Sequence, residues 1–237
     1  MTRREFFRRA VAVLFPERCI YCGKVLPPCL SGCSDCLERL PRIIPPVCRL
    51  CGHNQEDCTC GRHHRYYERS VSPFYYEGPA KAAILTLKEE RDPHIVEVLA
   101  QEMADVVARE YGDIVFDAVA PVPMTGAEMQ ERGYNQSLLL AQSLSRLRHI
   151  PLWQPLVKQF ETTPQKSLPA MERSGNVLGA FDLAVGMKLE GAVLLLVDDV
   201  VTTGSTMDEC TKMLKIYGAS AVYVVSATAS RLSKDED

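Results

Sequence analysis

The sequence predicts an α/β protein, with helices on both faces of a parallel sheet and a small cysteine-rich module in front. Three observations predict it. From Ser70 onward, apolar runs of strand length alternate with segments of helical period. Two of those runs, Ala192 to Val197 and Ser220 to Thr228, are largely apolar, as expected of strands covered on both faces. Nine of the ten cysteines lie between Cys19 and Cys60, in a stretch rich in proline and glycine with little periodicity.

A chain of 237 residues can hold one sizeable core and a small extra module. Its apolar share of 46% and charged share of 24% are those of a globular protein. A formal net charge of -3 gives no bulk basicity of the kind that marks a nucleic-acid binder. The apolar run Ala10 to Phe15 is too short for a signal peptide, and no stretch could cross a bilayer. A cytoplasmic protein without membrane insertion is therefore expected.

In chain order, residues 1–16 read as a helix closed by Pro16. Residues 17–65 cannot bury much core and need a staple. Val71 to Tyr76 reads as an edge strand interrupted by Pro73. Pro79 to Lys88 reads as a short helix with proline near its start, and Ile95 to Tyr111 as a longer one. Asp117 to Pro123 reads as a buried strand running into a turn, and Gln136 to Leu147 as a helix. Residues 157–175 are polar and read as a mobile loop. Ala192 to Val197 is a strand, Ser205 to Tyr217 a helix ended by Gly218, and Ser220 to Thr228 a last strand. The implied boundary separates residues 1–66 from residues 67–237.

The chemistry concentrates in one string, Leu194 to Thr206. A buried strand ends in Asp198 and Asp199, and Thr202, Thr203, Gly204, Ser205 and Thr206 lead straight into a helix. Strand ends of this kind are where ligands bind in open α/β sheets. Gly204 allows backbone to approach an anion closely, and free N–H groups at the helix start hold a phosphate. Ionised aspartates accept hydrogen bonds only, which suits the two cis hydroxyls of a ribose. An acidic strand end and one helix cap account for one acid and one hydroxyl, not for two acids, four hydroxyls and a glycine in register. This string resembles the phosphoribosyl pyrophosphate (PRPP) motif of type I phosphoribosyltransferases at every position. A second loop, Pro121 to Gly126, resembles the pyrophosphate loop of the same fold and brings in Met124, Thr125 and Gly126.

Further segments narrow the resemblance. Cys19-Ile20-Tyr21-Cys22-Gly23, Arg132-Gly133-Tyr134-Asn135-Gln136, Thr162-Thr163-Pro164-Gln165 and Glu172 to Phe181 stand in that order ahead of the acidic string. Together they resemble the ComF family, of the ComFC type, over nearly the whole chain. The resemblance implies a type I phosphoribosyltransferase fold with an N-terminal zinc module and a link to natural competence. It implies PRPP with Mg²⁺ as ligand, with Asp198 and Asp199 as the catalytic pair. It places Arg132 and Asn135 on the pyrophosphate side, and Gln165, Arg173 and Asn176 on a closing loop. Two departures stand out. Glu128 and Gln130 occupy positions that are basic in relatives, and Lys158-Gln159-Phe160 replaces an arginine-rich lead. Each is expected to remove positive charge near a polyanion.

Cys19-x-x-Cys22 and Cys33-x-x-Cys36 supply four thiolates for one tetrahedral zinc. Cys48-x-x-Cys51 with Cys58-x-Cys60 form a second, tighter set for a second zinc, in which His53, His63 or His64 could substitute. Cys29 is spare, and Cys210 falls inside a helix as a packing residue.

Two functions follow. One is a PRPP-dependent transferase or ligand-binding protein. The other is a single-stranded DNA-binding competence factor that uses the same cradle. Arg18, Lys24, Arg39, Arg42, Arg49, Arg62 and Arg65 would then meet the backbone, with Tyr21, Tyr66 and Tyr67 as stacking platforms. A competence helicase is a further candidate partner, docked by the zinc module.

Overall fold

The computed structural model describes residues 17–27, 30–58, 65–158 and 180–231. The expected helix over 1–16, together with Cys29, Cys60, Arg62, His63, His64, Gln165, Arg173 and Asn176, lies outside the described residues.

Among its described residues, the Cys-rich module has one short helix, α1 (Ser34–Glu38), and a 3-10 turn at Gln55–Asp57. After it come β1 (Arg69–Val71), β2 (Phe74–Tyr75), α2 (Gly78–Glu89), α3 (Pro93–Glu110), β3 (Ala118–Pro121), α4 (Gly126–Arg132) and α5 (Gln136–Arg148). They are followed by β4 (Leu156–Lys158), β5 (Phe181–Leu183), β6 (Val193–Val201), α6 (Ser205–Ile216) and β7 (Ala221–Ala229). The main sheet runs β1-β7-β6-β3, with β2 continuing along β7, and every pairing in it is parallel. β4 and β5 form a separate antiparallel pair.

The apolar strands sort by parity, because successive side chains in a strand point to opposite faces. Leu195, Val197, Val225 and Ala227 join a core built with α2, α3 and α5. Leu194, Leu196, Val222 and Val224 join another built with α6, Leu156 and Phe181. Helices on both faces explain why these strands read as continuous apolar runs. Each fully buried leucine or valine contributes about 1.5–3 kcal/mol.

Helix boundaries follow local chemistry. Asp92 caps α3 by accepting from His94 N at 2.8 Å, with Pro93 in the first turn. Ile95, Leu99, Met103 and Val106 form the buried stripe of α3. α4 was not expected, although Thr125-x-x-Glu128 signals it. The Thr125 hydroxyl accepts from Glu128 N at 3.1 Å and the Glu128 carboxylate accepts from Thr125 N at 2.7 Å.

The Cys-rich module covers the β1–β2 edge of the sheet. Ser70 N donates to Leu50 O, Ile43 N to Pro73 O and Tyr75 N to Pro41 O. Pairing an edge in this way removes a template for association. A side chain at Gly52 would stand 2.2 Å from Ser70 O, so only glycine permits the approach. At the far end of β7, Ser230 O lies 2.9 Å from His53 Nε2, and Arg231 pairs with Asp57 and Glu77.

Candidate functional site

The site is assembled where β3 and β6 end. The acids expected after β6 lie within it, since β6 extends through them to Val201. Asp198 Oδ1 accepts from Ser137 Oγ at 2.6 Å and from Asp199 N at 2.9 Å. Asp199 has a different partner, with Lys88 Nζ of α2 2.9 Å from its Oδ2. Burial, and then the neighbouring Asp199 carboxylate, push the Asp198 carboxyl up to about 7, against the Ser137 hydroxyl and the Asp199 N–H. Two half-buried acids side by side, tied to α5 and α2, present their remaining oxygens as acceptors.

Next comes the loop of small residues. Gly204 is buried with φ of 80°, the left-handed conformation that opens α6. The Thr202, Thr203 and Thr206 side chains are exposed and that of Ser205 is half-buried. Thr203 Oγ1 and Ser205 Oγ lie 2.8 Å apart. The sequence predicts a role for Gly204 toward an anion. In the structure its missing side chain also makes room for the chain leaving the Cys-rich module. A Cβ there would stand 3.2 Å from Tyr67 Oη and 3.6 Å from an Arg65 guanidinium nitrogen. Arg65 donates to Thr203 O at 2.7 Å, and Tyr66 N donates to the Asp208 carboxylate in the first turn of α6. Arg65 thus adds a positive charge beside the helix N-terminus.

The loop after β3 is closed by its own bonds. Met124 is half-buried, Thr125 is buried as the N-cap of α4, and Gly126 is exposed at the start of that helix. Asn135 is 7% exposed. Its amide donates to Val122 O at 3.0 Å and accepts from Leu138 N at 3.2 Å. It therefore fixes the loop to the start of α5. Arg132 is exposed at the end of α4. The two departures in charge meet each other: Lys158 Nζ lies 3.0 and 3.1 Å from the Glu128 carboxylate oxygens. That pair is neutral and ties β4 to α4, a relation invisible at thirty residues' separation.

Cysteines form two clusters. The Sγ atoms of Cys19, Cys22, Cys33 and Cys36 all lie within 4.8 Å of one another, as do those of Cys48, Cys51 and Cys58. Cys22 and Cys33 are 3.8 Å apart, and Cys51 and Cys58 3.7 Å. A zinc–sulfur bond of about 2.3 Å gives a tetrahedral edge of about 3.8 Å, so both spacings fit zinc. The clusters begin alike. Gly23 N donates to Cys19 O and Gly52 N to Cys48 O, while Cys19 N donates to Lys24 O and Cys48 N to His53 O. Against burial, which raises it, the N–H groups of Cys33, Tyr21 and Cys22 draw the Cys19 thiol down to about 7. His53 does not group with the thiols of the second cluster, and its Nε2 lies 2.9 Å from Ser230 O.

Of the aromatic residues expected to stack on bases, Tyr21 and Tyr67 are buried at 4% and 5% exposure. Only Tyr66 is open, with Lys212 Nζ 5.7 Å from its ring centre. Arg42 is engaged with Glu102, and Arg39 with Asp35. No helix among the described residues is long and apolar enough to cross a membrane. Cys210 is fully buried in α6, as its helical position predicted.

No protein-family model matches the chain. Among solved structures, a purine phosphoribosyltransferase from Pyrococcus horikoshii is similar at a TM-score of 0.38 and 17% identity, over 58% of this chain and 80% of that one. That score is too low to bear on function. The sequence relatives are far nearer. Competence protein F of Haemophilus influenzae is 32% identical over 89% of this chain and 96% of its own length. DNA utilization protein YhgH of Escherichia coli is 33% identical over 81% of this chain and 87% of its own. Competence protein ComFC of Bacillus subtilis is 27% identical over 83% of both. With a parallel sheet in an α/β fold behind a Cys-rich module, this chain belongs to the ComF family of competence and DNA utilization proteins.

Proposed function

We propose that this protein binds PRPP, or a related ribose 5-phosphate group, in the cradle between β3 and β6. One observation carries the reading: two half-buried acids and an open loop of hydroxyls, 202–206, stand at one end of one strand and open one helix. Asp198 and Asp199 take the ribose hydroxyls. Backbone N–H groups and the side chains of Thr202, Thr203, Ser205 and Thr206 take the 5′-phosphate. Met124 to Gly126 and Arg132 face the pyrophosphate, with Asn135 holding their loop in place. Gln165, Arg173 and Asn176 belong to the segment that would close over the ligand.

Transfer from PRPP breaks the bond at ribose C1 as pyrophosphate leaves and oxocarbenium character develops. Carboxylates held at the hydroxyls orient the ring and stabilise the positive charge building on it. The site fits Mg²⁺ as well, since Asp198 and Asp199 offer hard oxygen donors beside the ligand's own oxygens. Bound there, Mg²⁺ would offset charge on the departing pyrophosphate. Zinc in the two Cys clusters is structural in this reading, and holds the module whose last residues brace the 202–206 loop.

Isothermal titration of the full chain with PRPP and Mg²⁺ tests this, beside a titration with single-stranded DNA. The expected result is one saturable PRPP site, weakened in the Asp198→Asn, Asp199→Asn double variant. Absent PRPP binding, together with DNA binding unaffected by those substitutions, would favour the DNA-binding alternative. Elemental analysis should find at least one zinc per chain, and zinc-free folded protein would remove the metal assignment.

A further inference from the structure

The two acids of the cradle are held by unlike groups, and the difference has a consequence for the ligand. Asp198 rests on a neutral hydroxyl, Ser137 Oγ, whereas Asp199 faces the ammonium of Lys88 at 2.9 Å. The Asp199 side chain is 13% exposed and that of Lys88 30%, so the pair is only partly screened by water. The end of α2 that carries Lys88 is itself fixed, because Tyr134 Oη, just before α5, donates to Leu87 O at 2.9 Å. Lys88 also lies in the last turn of its helix, where the helix dipole favours a cation. Among the described residues, it is the cation paired with the acids. With it in place the acidic pair is less negative by one charge before any ligand arrives.

We propose that Lys88 is the resident counter-cation of the acidic pair, a positioning residue that holds Asp199 toward the ribose hydroxyls and lets the cradle take a phosphoribosyl group without a divalent cation. This rests on the phosphoribosyl reading above and adds to it where the compensating charge comes from. A phosphorylated sugar approaching two unpaired carboxylates would be repelled. An ammonium on Asp199 relieves that repulsion and leaves the carboxylate's other oxygen to accept from a hydroxyl. Mg²⁺ would then be needed for the pyrophosphate of a full PRPP molecule, not for the sugar.

Ribose 5-phosphate is the probe that isolates this contact, since it carries no pyrophosphate to chelate the metal. It is titrated calorimetrically into the full chain as wild type, Lys88→Gln and Lys88→Arg, with excess Mg²⁺ and in magnesium-free buffer. Wild type and Lys88→Arg should bind with little dependence on Mg²⁺. Lys88→Gln should lose at least about tenfold in affinity in magnesium-free buffer and regain most of it with Mg²⁺. An equal loss in both buffers would mark a purely structural role and overturn the proposal, as would no loss in either. If PRPP binds but ribose 5-phosphate does not, Lys88 does not serve the sugar contact and the proposal falls while the PRPP reading stands. If neither ligand binds, both fall.

Discussion

The loops after β6 and after β3 stand side by side and are built on opposite plans. The first leaves its hydroxyls exposed at Thr202, Thr203 and Thr206 and is braced from behind by Arg65 and Tyr67. The second spends its polar groups on itself, through the Thr125–Glu128 capping box, the Asn135 amide and the Lys158–Glu128 pair. An open loop with external support can meet a ligand without rearranging, so substitutions there should change affinity and not stability. A loop closed by its own bonds is scaffold, so substitutions there should change stability first.

The sharpest test of that contrast is Asn135→Ala. It strips a buried carbonyl of its donor and an N-cap from α5, and should lower unfolding stability by about 2–3 kcal/mol in denaturant titration. An effect on PRPP affinity without loss of stability would reverse the assignment of that loop. Next in size is the double replacement of Asp198 and Asp199 by Asn. It should weaken PRPP binding by about 1–3 kcal/mol, read by calorimetric titration of the folded variant.

A pH profile separates the acids further. Asp198 keeps its proton up to about 7 in the folded chain but releases it near 3.8 when unfolded. Between those values the native state binds more protons, so stability should fall as pH rises through that window. Asp198→Asn should flatten the slope, and an unchanged slope would place its origin elsewhere. Thr125→Ala removes one half of the capping box and should cost about 1 kcal/mol of stability. Smallest of all, Thr202→Ala should alter stability by less than about 0.5 kcal/mol while still reducing PRPP affinity in titration.

What the sequence made legible was local. The knuckle spacings, the apolar strands, the acids and the small-residue loop are each read within a dozen residues, where periodicity and spacing act. The contacts that turn them into a site are not local. Ser137, Lys88 and Arg65 reach Asp198, Asp199 and Thr203 from other elements, and no pattern in the chain announces which solvated-looking lysine or arginine will do so. Glu128 and Lys158 show the same limit in reverse: read singly, each is a departure that lowers positive charge, and read together they form one neutral tie. The module's seat on the β1–β2 edge was equally hidden, because it depends on backbone groups whose residue types carry no signal. α4 is the exception, since its capping box, Thr125-x-x-Glu128, is a local signal that the sequence carries openly.

The order of the strands has a consequence for how the protein is made. β7 is the last of the described strands in sequence and lies in the middle of the sheet, between β1 and β6. Translation adds roughly 5–20 residues per second, so β1 waits on the order of ten seconds or more for its neighbour to be synthesised. The Cys-rich module, finished long before, can close around metal from its own thiolates in that interval. The edge it will cover does not yet exist, and the contacts that fasten it come only with Ser230 and Arg231. With structural zinc as proposed above, the first piece of this chain to fold would be set by metal supply before the sheet's core is complete.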